Sequence, residues 1–360
     1  MASGPVILTG ANGAGKTNLL EAVSFLVPGR GLRGARLSDI AHQATGQSGK
    51  ANGWAVAAQI NTPSGQVELG TGSQQAQNAY GPSDKRVVRI EGETVRSQAL
   101  LAEYMSAHWL TPQMDRLFTE GASGRRRFLD RMVFGRDPAH AGRVSAYEHA
   151  LRERSRLLQE GSADPVWLSA LEETLAEKGV AVTAARCEQV TRLAEVCEAG
   201  IGPFPGALIN LEGELESWLG QGPALAAEDR FRDTLARSRL STAEKGRPPV
   251  GPHRSDLQVI HRPKGQNAAL CSTGEQKALL IALVLGNAML SEQHNGQAPV
   301  LLLDEVAAHL DEDRRGALYE RLLDLKAQVW MTGTDQALFE TLKGRGQFFN
   351  VSDARVTPTA

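Results

Sequence analysis

Residues 6–17 of the sequence read Val6-Ile7-Leu8-Thr9-Gly10-Ala11-Asn12-Gly13-Ala14-Gly15-Lys16-Thr17, and the residues after them have helical character. An apolar strand, a glycine-rich loop ending in Gly-Lys-Thr, and a helix form the pattern of a phosphate-binding P-loop. Glycine lets successive backbone N–H groups point at one anion, and the helix N-terminus adds its positive dipole end. The stretch therefore predicts an α/β fold that binds a nucleoside triphosphate.

The residue types in this loop predict separate roles. The Lys16 ammonium is expected to reach the β- and γ-phosphates, and the Thr17 hydroxyl to ligate Mg²⁺. Further nucleotide contacts are predicted for the loop and the first helical turn, at Gly10, Ala11, Asn12, Gly13, Ala14, Gly15 and Asn18. The alternative is a glycine-rich surface turn with an incidental lysine, which the flanking strand and helix disfavour.

The composition is typical of a soluble globular protein. Of the 360 residues, 41% are apolar and 22% are charged, as in average globular domains. No apolar run reaches the roughly 18 residues that a membrane span needs. The cysteines, Cys187, Cys197 and Cys271, are odd in number and lack metal-ligand spacing. This pattern favours a reducing, cytoplasmic setting without a membrane.

Arginine is concentrated in one part of the chain, although the net charge of the whole is only −2. Residues 123–156 contain nine arginines and four acidic residues. The densest run, Arg125, Arg126 and Arg127, is a candidate DNA-binding surface because arginine neutralises backbone phosphates. A solvated helix face explains the same composition, and the sequence alone leaves both interpretations open.

The middle of the chain divides into a β-region and a helical region. Short β-patterned runs follow the first helix, at Trp54–Ile60, Gln66–Gly70 and Lys85–Ile90. The intervening segment Gly70–Ser83 is rich in Gly, Gln, Asn and Ser and predicts a mobile loop. Residues 139–199 have helical periodicity that is broken by a turn at Gly161–Pro165. They predict two antiparallel helices, with Asp164 as the N-cap of the second.

A second candidate catalytic segment is Leu301-Leu302-Leu303-Asp304-Glu305. Its apolar run is typical of a buried parallel strand, which would deliver Asp304 beside the Thr17-bound Mg²⁺. Glu305 is then expected to polarise the attacking water. Because most of the chain separates Lys16 from Asp304, the spacing indicates a nucleotide fold interrupted by an insert.

The segment Ser272-Thr273-Gly274-Glu275-Gln276-Lys277 opens a long apolar helix. Its Ser hydroxyl, Gly N–H and helix N-terminus could form a second anion-binding surface. One site does not need two such surfaces, unless the second serves the γ-phosphate held by a partner subunit. The alternative is an ordinary N-capped helix in which Glu275 completes a capping box.

These segments occur in the order found in ABC-type ATPases. The residues that carry the resemblance are Gly10–Thr17, Gln113, Ser272–Gln276, Leu301–Glu305 and Ala308-His309-Leu310-Asp311. They look like the Walker A, Q-loop, signature, Walker B and D-loop segments. Among SMC/Rad50-like members, the sequence resembles the RecF family over essentially its whole length. That closer likeness is carried by Gly10–Ala22, Arg125–Asp130, Gly251-Pro252-His253-Arg254 and Ser272–Lys277.

The resemblance implies an SMC/Rad50-like ATPase head with an inserted helical second lobe. The expected segments are an N-terminal ATPase part at 1–124, a mostly helical insert at 125–245 and a C-terminal ATPase part at 246–360. It also implies ATP-dependent homodimerisation, weak ATPase activity, and DNA binding at single-stranded or gapped sites. The implied role is recombinational DNA repair and replication, including gap repair and the SOS response, in partnership with RecR.

The resemblance also implies particular residue roles. Gln113 is expected to sense the γ-phosphate and the metal, and with Lys16 and Glu305 it completes the predicted catalytic set. Ser272 and Gly274 are expected to contact the partner's ATP. The dimer interface is predicted to contain Ser272, Gly274, Glu275 and Asp311.

Two departures from the family pattern bear on activity. Thr334 stands where many ABC-type ATPases have a switch histidine, and a threonine cannot shuttle charge as imidazole can, so slow hydrolysis is expected. Only Met1–Pro5 precede the loop strand, where the family usually has a strand and an Arg-rich segment. Two other functions share these motifs: the nucleotide-binding subunit of a membrane transporter and a chromosome-organising SMC-type head. The long, Arg-containing stretch between Gln113 and Ser272 disfavours the first, and the absence of long heptad arms disfavours the second.

Overall fold

The protein forms two compact units, each assembled from segments that are distant in sequence. The computed structural model describes residues 4–41, 53–62, 64–78, 81–161, 164–296, 298–325, 327–353 and 355–359. The first unit comprises Met1–Thr111, Ala298–His309 and Leu322–Ala360, and the second comprises Pro112–Gln297 and Leu310–Arg321. This division differs from the three sequence-derived segments, which remain a prediction about functional lobes.

The regular elements alternate between strands and helices along much of the chain. The strands are β1 (Val6–Thr9), β2 (Ala55–Thr62), β3 (Gly65–Asn78), β4 (Gly81–Ile90), β5 (Glu93–Val95), β6 (Ala107–Leu110), β7 (Ala207–Glu212), β8 (Asp256–His261), β9 (Gln266–Asn267), β10 (Val300–Leu303), β11 (Val329–Gly333), β12 (Gln347–Ser352) and β13 (Arg355–Pro358). The α-helices are α1 (Lys16–Ser24), α2 (Ala122–Phe134), α3 (Ala139–Glu160), α4 (Pro165–Cys197), α5 (Glu214–Gln221), α6 (Ala224–Arg237), α7 (Arg239–Lys245), α8 (Thr273–Asn295) and α9 (Glu312–Asp324). Within the described ranges, each helix is too short or too polar to cross a membrane.

The first unit is built on a sheet with the strand order β13-β12-β1-β11-β10-β6. All neighbours are parallel except β12 and β13. All four residues of β1 are buried, as expected for a parallel strand that is covered on both faces. The apolar run in β10 is buried in the same way. The predicted α/β class and the predicted buried strand before Asp304 are therefore confirmed.

An antiparallel sheet of β2, β3, β4 and β5 completes the first unit. The segment Gly70–Ser83, predicted to be a mobile loop, instead contributes to β3 and β4, apart from residues 79 and 80, which lie outside the described residues. Cross-strand pairing in register, from Leu69 opposite Ile90 to Asn78 opposite Gly81, accounts for the difference. The ladder bonds are made by the backbone, so a Gln-, Ser- and Gly-rich composition did not prevent a strand.

In the second unit, α3 and α4 form the predicted helical hairpin. Its turn is closed by Gly161 in the left-handed region and by the Asp164 carboxylate, which accepts a hydrogen bond from the Val166 N–H at 2.8 Å. Proline at the first helical position needs no hydrogen-bond acceptor there. The apolar core between these helices and α5 and α6 includes Tyr147, Phe231 and other buried side chains.

Candidate phosphate-binding site

The loop between β1 and α1 owes its shape to glycines with positive φ. Gly10, Gly13 and Gly15 have φ angles of 152°, 81° and 104°, which L-residues with a Cβ rarely adopt. At Gly10 a Cβ would also lie 2.2 Å from the Val351 carbonyl oxygen of β12. The glycine pattern that predicted the loop thus corresponds to conformational and steric requirements in the structure.

Helix α1 begins without a side-chain cap, because its N-cap is Gly15. The first backbone N–H groups of a helix have no intrahelical acceptor, and here no side chain supplies one. They leave a positive helix end that suits an anion. Lys16 lies at the same place, only 5% exposed, and its Nζ donates to the carbonyls of Gly10 at 2.7 Å and Ala11 at 2.9 Å.

The first unit brings the loop and the acidic strand together. The Thr17 hydroxyl lies 3.0 Å from both Asp304 carboxylate oxygens. A second hydroxyl, that of Thr332 on β11, donates to Asp304 Oδ1 at 2.7 Å and accepts from the Glu305 N–H at 2.9 Å. Asp304 is 5% exposed, so these hydroxyls provide the hydrogen bonds that a buried carboxylate requires.

Thr332 is a site residue that the sequence analysis missed. It lies in an otherwise apolar strand, and its only signal is a buried hydroxyl one position past the paired residues Leu303 and Met331. The sequence analysis had singled out Thr334, which is exposed. Glu305 has a φ of 54°, a region that costs a non-glycine residue of order 1–3 kcal/mol and that commonly marks functional sites. Its N–H bond to Thr332 helps to hold this conformation.

The donor set around Asp304 suits Mg²⁺. A hydroxyl and a carboxylate are hard oxygen donors, and Mg²⁺ is commonly bound by one or two such groups together with water and substrate phosphates. Among the residues that the structure describes, no group of three or more His, Cys, Asp or Glu could hold a metal by itself. The arrangement therefore fits a metal that binds with a phosphate ligand rather than in a protein cage.

A short arginine contact supports the start of α1. Arg33 donates to Asn18 Oδ1 at 2.5 Å and through Nε to Glu21 Oε2 at 2.6 Å. The Asn18 side chain, predicted to contact nucleotide, is thus engaged by a residue of the Gly- and Arg-rich loop that follows the helix. Glu21 is buried, and the ion pair compensates its charge.

The other predicted ATP and interface residues lie in the second unit. Gln113 is exposed within a 3₁₀ turn at Pro112–Arg116. Asp311 accepts from the Arg314 N–H at 2.8 Å, as an N-cap does. A Cβ added at Gly274 would meet no atom within 4 Å. These positions are described within their own unit, and their predicted roles in ATP contact and dimerisation remain predictions.

Ser272 and Glu275 form a capping box at the start of α8. The Ser272 N–H and hydroxyl both donate to Glu275 Oε2, at 3.0 and 2.9 Å. Lys264 lies 2.5 Å from the other carboxylate oxygen. The Lys264 bond, with the Ser272 bonds next, lowers the pKa of Glu275 to about 2. The capping interpretation therefore describes the geometry, and it occupies the hydroxyl that is predicted to contact ATP.

The three adjacent arginines differ in their surroundings. Arg125 makes a two-pronged ion pair with Asp256, at 2.7 and 2.9 Å, and donates to three backbone carbonyls. Arg126 donates to the Ser255 carbonyl at 2.8 Å. Arg127 is exposed. The structure thus gives Arg125 a packing role, whereas Arg127 presents its charge to solvent; their predicted binding of DNA remains a prediction.

Two of the strings that carry the family resemblance form buried polar contacts. Asp130 receives two bonds from Arg186 at 2.8 Å and lies 2.8 Å from His140 Nε2. Burial alone raises the pKa of Asp130, but Arg186 and His140 outweigh it and the net direction is down. His253 Nε2 donates to the Pro248 carbonyl at 3.1 Å, so its Nδ1 accepts from the Tyr147 hydroxyl at 2.7 Å.

Comparisons with known proteins agree with this geometry. The family model for the RecF/RecN/SMC N terminal domain matches residues 1–355. A DNA replication and repair protein RecF from Mesorhizobium japonicum is 50% identical over all of this chain and 93% of its own. A protein of the same name from Brucella suis is 51% identical, covering 98% of this chain and 90% of its own.

Solved structures give the same picture of the fold. The recombination mediator protein RecF-ATPrS of the RecFOR pathway superposes with a TM-score of 0.82 at 22% identity, over 100% of this chain and 93% of its own. An SmcHead bound to the C-winged helix domain of ScpA superposes with a TM-score of 0.55 at 15% identity, over 100% and 91%. These likenesses confirm the predicted ATPase-head fold class.

Proposed function

The chain belongs to the RecF family of DNA replication and repair proteins, and from this membership we propose that it is an ATP-gated, DNA-binding protein of recombinational repair. Within that role it serves gap repair, replication and the SOS response. The single observation that carries the proposal is the meeting of Thr17 with Asp304, next to a lysine that already lies at the phosphate loop. The relatives' names supply the DNA process, and the site supplies the chemistry.

ATP is the proposed ligand of the loop, and Mg²⁺ its companion. The α1 N–H groups and Lys16 bind the phosphates, while Thr17 and Asp304 hold the metal. Bound Mg²⁺ would neutralise charge on the phosphate oxygens. Lys16 can exchange its two carbonyl acceptors for phosphate oxygens, and a charge-assisted bond to phosphate is stronger than a bond to a carbonyl.

Hydrolysis is proposed to be slow. Glu305 follows the metal residue and orients the attacking water, while Gln113 senses the γ-phosphate. Thr334 can donate a hydrogen bond but cannot accept and return a proton at neutral pH. A slow step suits a protein in which ATP mainly controls assembly, because the bound state then persists long enough to act on DNA.

Assembly is proposed to be an ATP-dependent homodimer. Ser272 and Gly274 of one copy contact the γ-phosphate held by the other, with Glu275 and Asp311 at the interface. For this, the Ser272 hydroxyl turns from Glu275 to phosphate, while the Ser272 N–H keeps its bond to the carboxylate. ATP can shift the equilibrium only by its differential affinity for the two states.

DNA, in single-stranded or gapped form, is the proposed macromolecular ligand, with Arg126 and Arg127 contributing phosphate contacts and Arg125 supporting them. RecR is the proposed protein partner, by membership of the family. A cytoplasmic location follows from this role. Binding held mainly by phosphates should be weakly sequence-specific and steeply dependent on salt.

Nucleotide binding tests the first part of the proposal. Lys16→Ala should weaken Mg-ATP binding at least tenfold, and up to about a hundredfold, since a hydrogen bond to a charged group contributes roughly 1.5–3 kcal/mol. Isothermal titration measures the affinity. Lys343→Ala, which removes an exposed lysine paired with Glu340, is the matched control and should bind ATP normally. Undiminished binding by Lys16→Ala would remove the P-loop from the proposal.

Dimerisation tests the second part. Glu305→Gln keeps the side-chain volume but removes the carboxylate that orients water, so ATP should persist and the dimer accumulate. Size-exclusion chromatography with light scattering, with and without Mg-ATP, measures the change. Glu340→Gln provides an exposed control. A Glu305→Gln protein that binds ATP and stays monomeric would contradict the ATP-gated dimer.

A further inference from the structure

A second positively charged site lies wholly within the second unit. A cavity of about 450 Å³ opens between α2, α3, α4 and the segment at 246–253. Its volume falls in the 300–1,000 Å³ range of small-ligand pockets. Two acids, Asp130 and Glu148, line it. The arginines that line it are Arg126, Arg127, Arg152, Arg156, Arg186 and Arg247.

Internal pairing removes some of this positive charge. Arg186 is held by Asp130 through two bonds of 2.8 Å. Arg156 is bonded to Glu153 and Glu160 on α3, each at 2.9 Å. Arg152 has a long, exposed contact of 3.7 Å with Glu148, which contributes little. The charge that remains uncompensated is concentrated on the other three arginines.

These three, Arg126, Arg127 and Arg247, face an anion-deficient environment. Within the described ranges, Arg127 and Arg247 have no carboxylate or carbonyl partner. Arg126 has a single bond, to the neutral Ser255 carbonyl. Burial and the nearby Arg186 charge lower the pKa of Arg126. A bound anion would offset the cost of keeping these like charges together.

The opposite wall of the cavity is rigid and carries no charge of its own. The Tyr147 hydroxyl donates to His253 Nδ1, and His253 Nε2 donates to the Pro248 carbonyl. Burial lowers the pKa of His253 to about 4, so its imidazole is neutral at pH 7. Both ring partners are used, which leaves the arginines as the groups that can grip a ligand.

We propose that this cavity binds a phosphomonoester, held by Arg127 and Arg247 at its rim and by Arg126 within. A phosphomonoester carries roughly −1.5 to −2 charges at pH 7, whereas a diester inside a strand carries one. Three donors of fixed fork geometry favour the more highly charged, more accessible group. The ligand is either a free nucleotide or the phosphorylated end of a DNA strand, which share this chemistry. The site is separate from the P-loop, and the inference does not depend on ATP hydrolysis.

The test compares phosphorylated with unphosphorylated probes on the full chain. Fluorescence anisotropy measures the binding of a short oligothymidylate with a terminal phosphate and of the same strand with a terminal hydroxyl. Thymidine monophosphate is titrated separately by calorimetry. Both are repeated with Lys16→Ala, so that binding at the P-loop does not contribute. We expect about tenfold tighter binding of the phosphorylated strand and unchanged preference in Lys16→Ala.

Variants then locate the effect. The double variant Arg127→Gln, Arg247→Gln alters two exposed side chains and should fold normally, yet lose the preference for the phosphate. Arg237→Gln, on α6 and 83% exposed, makes the same charge change outside the cavity and should keep it. Competition by thymidine monophosphate identifies a free nucleotide as a ligand, and a preference seen only with the strand identifies its end. Equal affinity of the wild-type protein for both strand ends without monophosphate binding, or an undiminished preference in the double variant, would overturn the proposal.

Discussion

The Thr17 hydroxyl contacts both carboxylate oxygens of Asp304 at 3.0 Å, although 287 positions separate the two residues. The first unit therefore assembles its phosphate loop and its acidic strand into one site without needing a ligand to bring them together. Parallel pairing sets this proximity, because β1 and β10 both flank β11 and their carboxyl ends meet at the same edge.

Thr332→Val should destabilise the first unit and weaken Mg-dependent ATP binding. The substitution conserves shape but leaves the buried Asp304 carboxylate and the Glu305 N–H each without one hydrogen-bond partner. We expect the free energy of unfolding to fall by about 2 kcal/mol, as measured by urea denaturation. Thr334→Val, two residues away and exposed, should change it by less than about 0.5 kcal/mol. Equal effects of the two substitutions would show that the Thr332 contacts are unimportant.

Gly10→Ala should be much more damaging than Gly13→Ala. Both glycines have positive φ, but only at Gly10 would the added Cβ meet an atom, the Val351 carbonyl oxygen at 2.2 Å. We expect a loss of about 3 kcal/mol for Gly10→Ala, from strain and overpacking together, and about 1 kcal/mol for Gly13→Ala. Thermal unfolding measures both. A stable Gly10→Ala protein would mean that β12 can move away from the loop.

Arg125→Gln and Arg127→Gln should separate stability from DNA binding. Arg125 is 12% exposed and paired with Asp256, so its loss should cost about 2 kcal/mol of unfolding free energy. Arg127→Gln should leave stability unchanged and lower the salt dependence of single-stranded DNA binding by about 0.7 in log–log slope for the lost phosphate contact. Anisotropy titrations at several salt concentrations measure the slope. An unchanged slope would assign Arg127 to a solvated helix face.

His253 should make stability depend on pH between about 6.5 and 4. Burial lowers its folded-state pKa from 6.5 to about 4, so the unfolded chain binds the proton first as the pH falls. The stabilisation is present above pH 6.5 and is lost on the way down to pH 4, by about 3 kcal/mol in total. Comparing the wild type with His253→Gln isolates this contribution. His149→Gln, an exposed histidine on α3, should retain the wild-type dependence.

The sequence predicted the parts of the site that are local patterns. The glycine spacing at Gly10–Gly15 reflects backbone angles, and the apolar run before Asp304 reflects burial in a parallel strand; both depend on neighbouring residues alone. The hairpin of α3 and α4 was predictable for the same reason, since its turn and its cap lie within a few positions of each other.

The remaining features depend on partners far away in sequence. Thr332 became part of the site only through the register of β11 against β10. Arg125 appeared to be one of three equivalent charges until its partner Asp256, 131 positions away, was placed beside it. Composition also misled at Gly70–Ser83, where the ladder between β3 and β4 overrode weak strand propensity. Pairing between distant segments is what local sequence patterns do not encode.

The place of β1 in its sheet has a consequence for how the protein is made. Its neighbours are β11 and β12, so a ribosome synthesises this strand long before either partner exists. The phosphate loop cannot acquire its bound-like shape on the nascent chain until residue 352 has emerged. High contact order of this kind slows folding and leaves apolar segments exposed meanwhile. We therefore expect ATP binding to arise only after translation has passed β12, and a newly made chain to be a candidate for chaperone protection until then.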